Sequence, residues 1–315
     1  MFGLLKRNAA AKGRIGIAID GERMAVAVVS RDSSGEASLL RCESVPLSSG
    51  GDAAAALRAL HLPAMRVSGV LRPQDYQLAL VETPDVPPAE LRAAMRWRLR
   101  DSIDFRVEDA VIDVFDIPPQ SRGSQGRMMY AVAARRSAVD AQSSMLVGLP
   151  HFDVVDVPEL CLRNLVSLLP ASANGMAMLH LGETTASVVL VRGKTFYFAR
   201  QMNLQLSLGS AIEGGAGAGS GFGRLNPENV VLELQRSLDY YERHFDQPPI
   251  TRIAIAPCGE RAAALAADLG EESSFDVTVL DLNTALHCET PVSAETQAQC
   301  LLAVGAALRQ EHRSL

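Results

Sequence analysis

Long apolar runs, paired cysteines and an excess of positive charge are all missing from this chain, and each absence removes a class of protein. No stretch approaches the roughly 20 consecutive apolar residues of a membrane-spanning helix, so no span is expected. The five cysteines, Cys42, Cys161, Cys258, Cys288 and Cys300, form no Cys-x-x-Cys pair and no Cys/His cluster at zinc spacing. A zinc module is therefore not expected, and the thiols read as reduced and mostly buried, as in a cytosolic protein. Net charge is −6, so nothing global favours nucleic acid. Seven glycines fall between residues 209 and 223, but no lysine accompanies them. A phosphate loop needs Gly-Lys-Ser/Thr opening a helix, so this run reads as a flexible connection. At the N-terminus the apolar residues Phe2, Leu4 and Leu5 precede the charges Lys6, Arg7, Lys12 and Arg14, the reverse of a signal peptide. That segment reads as a frayed terminus or as a contact with a membrane or partner.

What is present is an ordinary globular composition, with 315 residues, 48% of them apolar and 21% charged. That length suggests about two domains with a substantial core. Two segments echo each other. Arg14 to Val29 and Met178 to Val191 each give an apolar run, a polar turn containing Gly-Glu and a second apolar run, which is how a β-hairpin reads. Two copies about 160 residues apart suggest a duplicated fold.

Around the first hairpin, Ile15, Ile17 and Ile19 alternate with Gly16, Ala18 and Asp20, which predicts a strand packed closely on both faces. Strands are expected at 39–45, 67–71, 77–81, 110–115, 128–134 and 152–157, with helices at 52–60, 87–101, 137–146 and 158–168. Ser137 is the expected N-cap of the third helix, and Asp156 that of the fourth. In the helix after Pro87 and Pro88, Leu91, Met95, Leu99 and Ile103 share one side, Arg92, Arg96 and Arg100 form a basic stripe, and Trp97, the only tryptophan, lies elsewhere. The stripe is either a solvated face paired with Glu90, Asp101 and Asp104 or a docking surface for an acidic or aromatic partner segment. The second half predicts a strand at 195–200 and a long helix with Asn226 as N-cap, Pro227 at its first position and Val231, Leu234, Leu238, Tyr241 and Phe245 on one face. A strand at 253–256, a helix at 261–269, a strand at 277–280 and a closing helix at 294–309 complete the chain.

The order β-β-β-α-β-α, given twice with insertions, resembles the actin-like ATPase fold. Within it, Leu91 to Phe115 resembles the small inserted subdomain of the PilM family, the actin-like component of type IV pilus assembly. Glu233 to Tyr241, Val304 to Arg309 and Met1 to Lys6 are similar to that family's second-half helix, closing helix and opening. The resemblance implies an α/β, duplicated ribonuclease H-like fold with a PilM/FtsA-type small subdomain. It places the first lobe at 1–82 and 152–173, the insert at 83–151, and the second lobe at 174–315 with 210–249 as its smaller part. It also implies a cytoplasmic location at the inner membrane of a Gram-negative bacterium. The implied partner is the short cytoplasmic tail of a bitopic PilN-like protein, with pilus motor ATPase components as further candidates and no nucleic acid.

Actin-like proteins hold Mg-ATP between two hairpin turns whose aspartates organise the metal, because magnesium needs hard oxygen ligands. Here one alignment puts Ala18 at the first aspartate position and a shifted one puts Asp20 there, followed by Gly21. His180 stands where the second aspartate belongs, and Ala256-Pro-Cys-Gly259 replaces the adenosine-side Gly-Gly turn, with Pro257 removing a backbone donor. Glu22 and Glu183 would bring negative charge towards a triphosphate. The expectation is a scaffold with a degenerate nucleotide site, no cofactor, no metal ligand and no catalytic residue. The alternative is an ATP/Mg-binding switch held by Asp20, Gly21, Gly182, Thr184, Thr185 and Gly259. A sugar-kinase-like enzyme would need an aspartate base, for which Asp156 is the nearest candidate. Partner binding is assigned to Arg92, Arg96, Trp97 and Arg100.

Overall fold

The computed structural model describes residues 13–47, 53–120, 126–146, 149, 151–182, 185–203, 227–272 and 274–311. The opening segment, the glycine-rich run, Asn226, Glu183 and Thr184 lie outside the described residues. The first sheet starts with β1 (Gly13–Ile19), β2 (Arg23–Arg31) and β3 (Ala37–Pro46), continues after α1 (Ala53–Ala59) with β4 (Arg66–Val70), and is followed by an insertion. The insertion begins earlier than the expected residue 83, because β5 (Tyr76–Glu82) pairs in its sheet and not in the first; it also carries α2 (Leu91–Leu99), β6 (Ala110–Asp116), β7 (Met128–Arg135) and α3 (Arg136–Leu146). Its strands make a separate antiparallel sheet in the order β5-β7-β6. The chain then returns to the first sheet with β8 (Phe152–Asp156) and leaves it through α4 (Pro158–Val166).

The second sheet repeats the first. β9 (Met176–Leu181), β10 (Thr185–Arg192) and β11 (Thr195–Asn203) precede α5 (Pro227–His244), β12 (Arg252–Ile255), α6 (Glu260–Glu272) and β13 (Asp276–Val279). The five-strand orders are β3-β2-β1-β4-β8 and β11-β10-β9-β12-β13. In each, the first three strands are antiparallel, and the first strand then pairs parallel with the fourth and the fourth with the fifth. The duplication expected from the two hairpins is therefore present in connectivity as well as in sequence.

Two elements were not expected from the sequence. α7 (Leu282–Ala285) leads into β14 (His287–Cys288), which adds parallel to the outer edge of β3. The chain thus comes back from the second sheet to the first before its last helix, α8 (Ala294–Ala307), begins behind the Ser293 cap. α8 packs on β1, β2, β3 and β4, whereas α4, which follows β8, packs on β9, β10 and β11. Each sheet is thus covered by a helix from the far side of the crossing. Gly16 and Gly305 make this possible. A Cβ on Gly16 would lie 1.9 Å from the Ala303 carbonyl oxygen of α8, and one on Gly305 would lie 2.5 Å from the Cys161 carbonyl oxygen of α4. The small residues between the isoleucines of β1 are thus the seat of α8.

Other expectations hold at residue level. Val231, Leu234, Leu238, Tyr241 and Phe245 are all buried, and each such side chain contributes about 1.5–3 kcal/mol of hydrophobic stabilisation. Met95 and Leu99 are fully buried against Ile112 and Met129 of the small sheet. Ser137 is not an N-cap. β7 ends at Arg135 and α3 starts at the next residue, so Ser137 lies inside the first turn of the helix.

Candidate functional site

The two hairpin turns occupy equivalent places, each joining the central strand of its sheet to the neighbouring antiparallel strand. In the first, Gly21 takes a positive φ of 76°, a backbone shape that favours glycine. The Asp20 carboxylate accepts the Arg23 N–H at 3.1 Å, so it is used in closing its own turn. The Arg23 guanidinium reaches away to Ser44 at 2.9 Å and to Gln299 of α8 at 3.1 Å. Glu22 is exposed. Ala18, at the other candidate aspartate position, packs against a small apolar cluster of Val70, Cys161, Ala306 and Leu302.

In the second turn the Gly182 N–H donates to the Thr185 carbonyl at 2.8 Å. His180 lies opposite Ser187 in the ladder, and burial pulls its imidazole down to about 4 from 6.5, so it is neutral near pH 7. On the third contact Gly259 has φ 68°, and Cys258, half-buried, has its thiol pushed up by desolvation. Magnesium takes carboxylate and other oxygen ligands; among the described turn residues these are the turn-capping Asp20 carboxylate, the exposed Glu22 carboxylate and the Thr185 hydroxyl, while Ala18 and His180 offer none. Among the described residues no cluster of His, Cys, Asp or Glu could hold a metal ion.

The two buried acidic side chains among the described residues, Asp156 and Glu159, are engaged within the fold. Asp156 is not an N-cap; the cap position of α4 is Val157, with no side-chain cap bond. The Asp156 carboxylate, almost fully buried, accepts the Val157 N–H at 3.0 Å and an Arg309 Nη1 hydrogen at 2.7 Å. A buried carboxylate needs such pairing, and the partner lies 153 residues away, beyond any local pattern. Glu159, one helical turn on and fully buried, was missed by the sequence reading. It accepts the Tyr76 hydroxyl at 2.6 Å and the Gln201 amide at 3.0 Å, while burial raises its carboxyl above the ordinary range. Tyr76 lies on the small subdomain, Glu159 on the crossing helix and Gln201 on the second sheet. One carboxylate therefore ties three parts of the fold together. The only sequence signal was a single acid within the apolar run of α4.

A second tie runs alongside. Phe115 and Tyr130 of the small sheet meet Phe196 of β11, with ring centroids 5.3–5.4 Å apart. The Tyr130 hydroxyl accepts the Ala199 N–H at 3.1 Å.

The small sheet has two faces with different partners. Ile112 and Val114 point with Met95 and Leu99 into the core under α2. Strand alternation turns Val111, Asp113 and Phe115 to the opposite side, and there a groove of about 360 Å³ opens between this sheet, α3 and β8. Its walls are mainly apolar, with Val111, Val132, Val139, Val155 and Leu160 among them, and Asp113, Asp153, Asp156 and Arg309 supply the charge. None of the hairpin-turn residues lines it.

The basic stripe on α2 is only partly free. Arg92 pairs with Asp113 at 3.4 Å, across the small subdomain and not with the acids near it in sequence. Arg98, outside the stripe, pairs with Glu82 at 3.4 Å. Arg100 lies 6.0 Å from the Trp97 ring centroid. Trp97 is 74% exposed, the most exposed large hydrophobic side chain among the described residues. Arg96 is exposed.

The repeated strand order, the crossing of α4 and α8 and the inserted three-stranded sheet define an actin-like fold with an inserted small subdomain. Comparison with solved structures bears this out. A structure described as a PilM-PilN type IV pilus biogenesis complex superposes with a TM-score of 0.65 at 20% identity, over 94% of this chain and 98% of that one. A Bacteroides thetaiotaomicron protein described as having an actin-like ATPase fold and unknown function gives a TM-score of 0.52 at 9% identity, over 95% and 99%. No protein-family model and no curated protein matches the chain. At these identities the likeness establishes the fold.

Proposed function

We propose that this chain is an actin-like scaffold of type IV pilus assembly, which holds the short cytoplasmic tail of a bitopic inner-membrane PilN-like protein and does not hydrolyse ATP. The observation that carries the reading is the groove between the small sheet and the first sheet. It is mainly apolar-walled and is not lined by the hairpin turns, which suits a short peptide with apolar anchors. The neighbour at TM-score 0.65 is itself a PilM-PilN complex, which supports this class of partner. The order and spacing of the segments at 1–6, 91–115, 233–241 and 304–309 favour the MSHA-type branch of pilus systems, with an MshI-like role peripheral to the inner membrane. Arg92, Arg96, Trp97 and Arg100 offer a second, outward contact for the same membrane partner, and pilus motor ATPase components are further candidate partners of the assembly.

The nucleotide half of the reading rests on the turns. Ala18 sits in an apolar cluster, Asp20 closes its own turn and His180 is neutral. Titration with Mg-ATP by calorimetry is expected to give no saturable heat at micromolar protein. Micromolar binding with turnover that depends on His180 would restore the ATP-switch alternative, with Asp20, Gly21, Gly182, Thr185 and Gly259 as its contacts. For the partner, the full chain is used to retain detergent-solubilised inner-membrane proteins, and the retained short tails are sequenced. The expected tail carries apolar anchors and is lost when Val111 is replaced by arginine. Equal retention by both proteins would refute the groove as its site.

A further inference from the structure

A cavity of about 710 Å³ plays no part in the proposed function. It lies at the end of the first sheet opposite the hairpin turn, where the topology gathers basic residues from separate elements. β1 opens with Gly13 and Arg14, its antiparallel neighbour β2 closes with Arg31, and β4, parallel to β1, opens with Arg66. His151 stands just before β8, which is parallel to β4, and Arg309 follows shortly after α8. These four arginines and His151 line the cavity, and Asp32 is the one acidic residue that does. No hairpin-turn residue lines it.

The charges there are not balanced. Arg14, almost fully buried, donates to the Ser68 hydroxyl at 2.6 Å and to the two Asp153 oxygens at 2.7 and 3.3 Å. Arg66, half-exposed, lies 4.0 Å from the same carboxylate. Arg309 donates to Asp156 through Nη1, while its buried Nε has no partner among the described residues. Arg31 donates to the Gly35 and Leu308 carbonyls at 2.9 Å each and pairs with no described carboxylate. Desolvation lowers its pKa, as expected of a partly buried charge without a counter-ion. Asp32 closes its own turn, accepting the Ser34 and Glu36 N–H groups at 2.9 Å and the Ser34 hydroxyl at 2.7 Å. Four guanidinium groups are thus set against three carboxylates, those of Asp32, Asp153 and Asp156, and Arg31 carries the excess. His151 has a backbone φ of 65°, uncommon outside glycine, and its carbonyl is held by the Val67 N–H at 3.0 Å. Backbone of this kind clusters at ligand clamps.

We propose that this cavity binds a small phosphate-bearing anion, with Arg31 as its primary contact and Arg66 as the second. The guanidinium fork matches phosphate oxygens two at a time. Neutral carbonyls now meet the Arg31 charge, and an anion is the stronger partner for it. Arg14 and Arg309, held by their carboxylates, add positive field. The volume falls in the range of small-molecule sites. It admits a soluble phosphate ester or the headgroup of an anionic lipid, which present the same group. The site shares no residue with the hairpin turns, and it stands whether or not the pilus reading holds.

The test titrates the full chain with inorganic pyrophosphate, without magnesium, by calorimetry at low salt. Saturable binding is expected. It should weaken about tenfold or more in Arg31→Gln, which keeps an amide donor for the carbonyls but removes the charge. It should persist in Thr185→Ala, so a weak heat with Mg-ATP that vanishes in Arg31→Gln belongs to this cavity and not to the hairpins. If Arg31→Gln fails to fold, the parent protein still decides. Phenylglyoxal labelling mapped by peptide mass spectrometry should show pyrophosphate protecting Arg31 and Arg66 and leaving Arg96 and Arg100 reactive. Phosphatidylcholine vesicles with and without phosphatidic acid separate the two sources. Flotation that needs both phosphatidic acid and Arg31 identifies a headgroup, and pyrophosphate binding without flotation identifies a soluble ester. Three results would overturn the proposal: no binding to either probe, binding undiminished in Arg31→Gln, or no protection of Arg31.

Discussion

The two hairpin turns and the groove beside the small subdomain are built from the same kinds of element, yet their side chains differ in what they offer. At the hairpins the backbone is regular. Gly21 holds a positive φ in the first turn and Gly182 closes the second hairpin, while Gly259, with positive φ, stands in the connection after β12. The side chains there do not follow. Asp20 is spent on its own turn, Ala18 faces apolar neighbours and His180 is neutral. At the groove, side-chain chemistry is concentrated. A continuous apolar wall is bordered by a buried ion pair, and the neighbouring contacts tie the small subdomain to both sheets. The hairpins carry the sheets, so their backbone is held whatever their turn side chains do. Side-chain composition is the better guide to where the present activity lies.

The largest expected effect comes from breaking the groove side. Arg309→Leu leaves Asp156 buried with only the Val157 N–H as partner. Removing one member of a buried pair costs about 3–5 kcal/mol, so the urea midpoint is expected to fall sharply. Asp156→Asn, which keeps a polar acceptor at the same site, should cost less. Equal and small losses for both variants would mean that the pair does not anchor the groove.

The hairpins give a pH signature instead. A histidine held neutral stabilises the fold above its ordinary value of 6.5, because there neither state binds the proton. As pH falls from 6.5 towards about 4 the unfolded chain takes up a proton that folded His180 resists. Stability is therefore expected to drop across that window, by at most about 3 kcal/mol from this group. His180→Asn should flatten that part of the profile, as read by chemical denaturation at stepped pH. A profile that keeps the same slope in the variant would show that His180 is not the buried titrating group.

Much of the fold could be read in advance, and the parts that could not share a cause. The hairpins, the α5 stripe and the two faces of the α2 helix are local periodicities, and each is present. Asp156 was misread because its partner Arg309 is 153 residues away, and the local rule, an acid before a proline-led helix, offered a plausible cap. β14 is two residues long and has no periodicity to find. The exchange of α4 and α8 between sheets left only the small residues Gly16 and Gly305 as a trace. Glu159 was visible as an acid in an apolar helix, but its partners come from two other parts of the fold. For the nucleotide contacts the sequence named the substituted positions, and the structure adds the surroundings that Ala18, Asp20 and His180 meet.

The groove and the hairpins can be separated by binding alone. Val111 is partly exposed on the groove face of β6, so an arginine there should leave the sheet intact while obstructing an apolar ligand. Retention of the membrane partner is expected to fall about tenfold or more, equivalent to about 1.4 kcal/mol. Thr185→Ala at the second hairpin is expected to leave retention unchanged. The reverse pattern would move the functional surface back to the hairpins.

The smallest effect on stability decides the outer face of the small subdomain. Trp97 is 74% exposed, so Trp97→Ala should change stability by no more than about 0.5 kcal/mol. Arg96→Glu and Arg100→Glu should be as mild, since Arg96 is exposed and Arg100 meets only the open Trp97 ring. Arg92 serves as the internal control, because its pairing with Asp113 gives it a structural role within the subdomain. If this face docks a partner, the Trp97, Arg96 and Arg100 variants weaken recruitment to membranes while melting like the parent, and salt weakens recruitment of the parent in the same way. If recruitment is unchanged in all three, the stripe is a solvated face and the groove alone carries the partner.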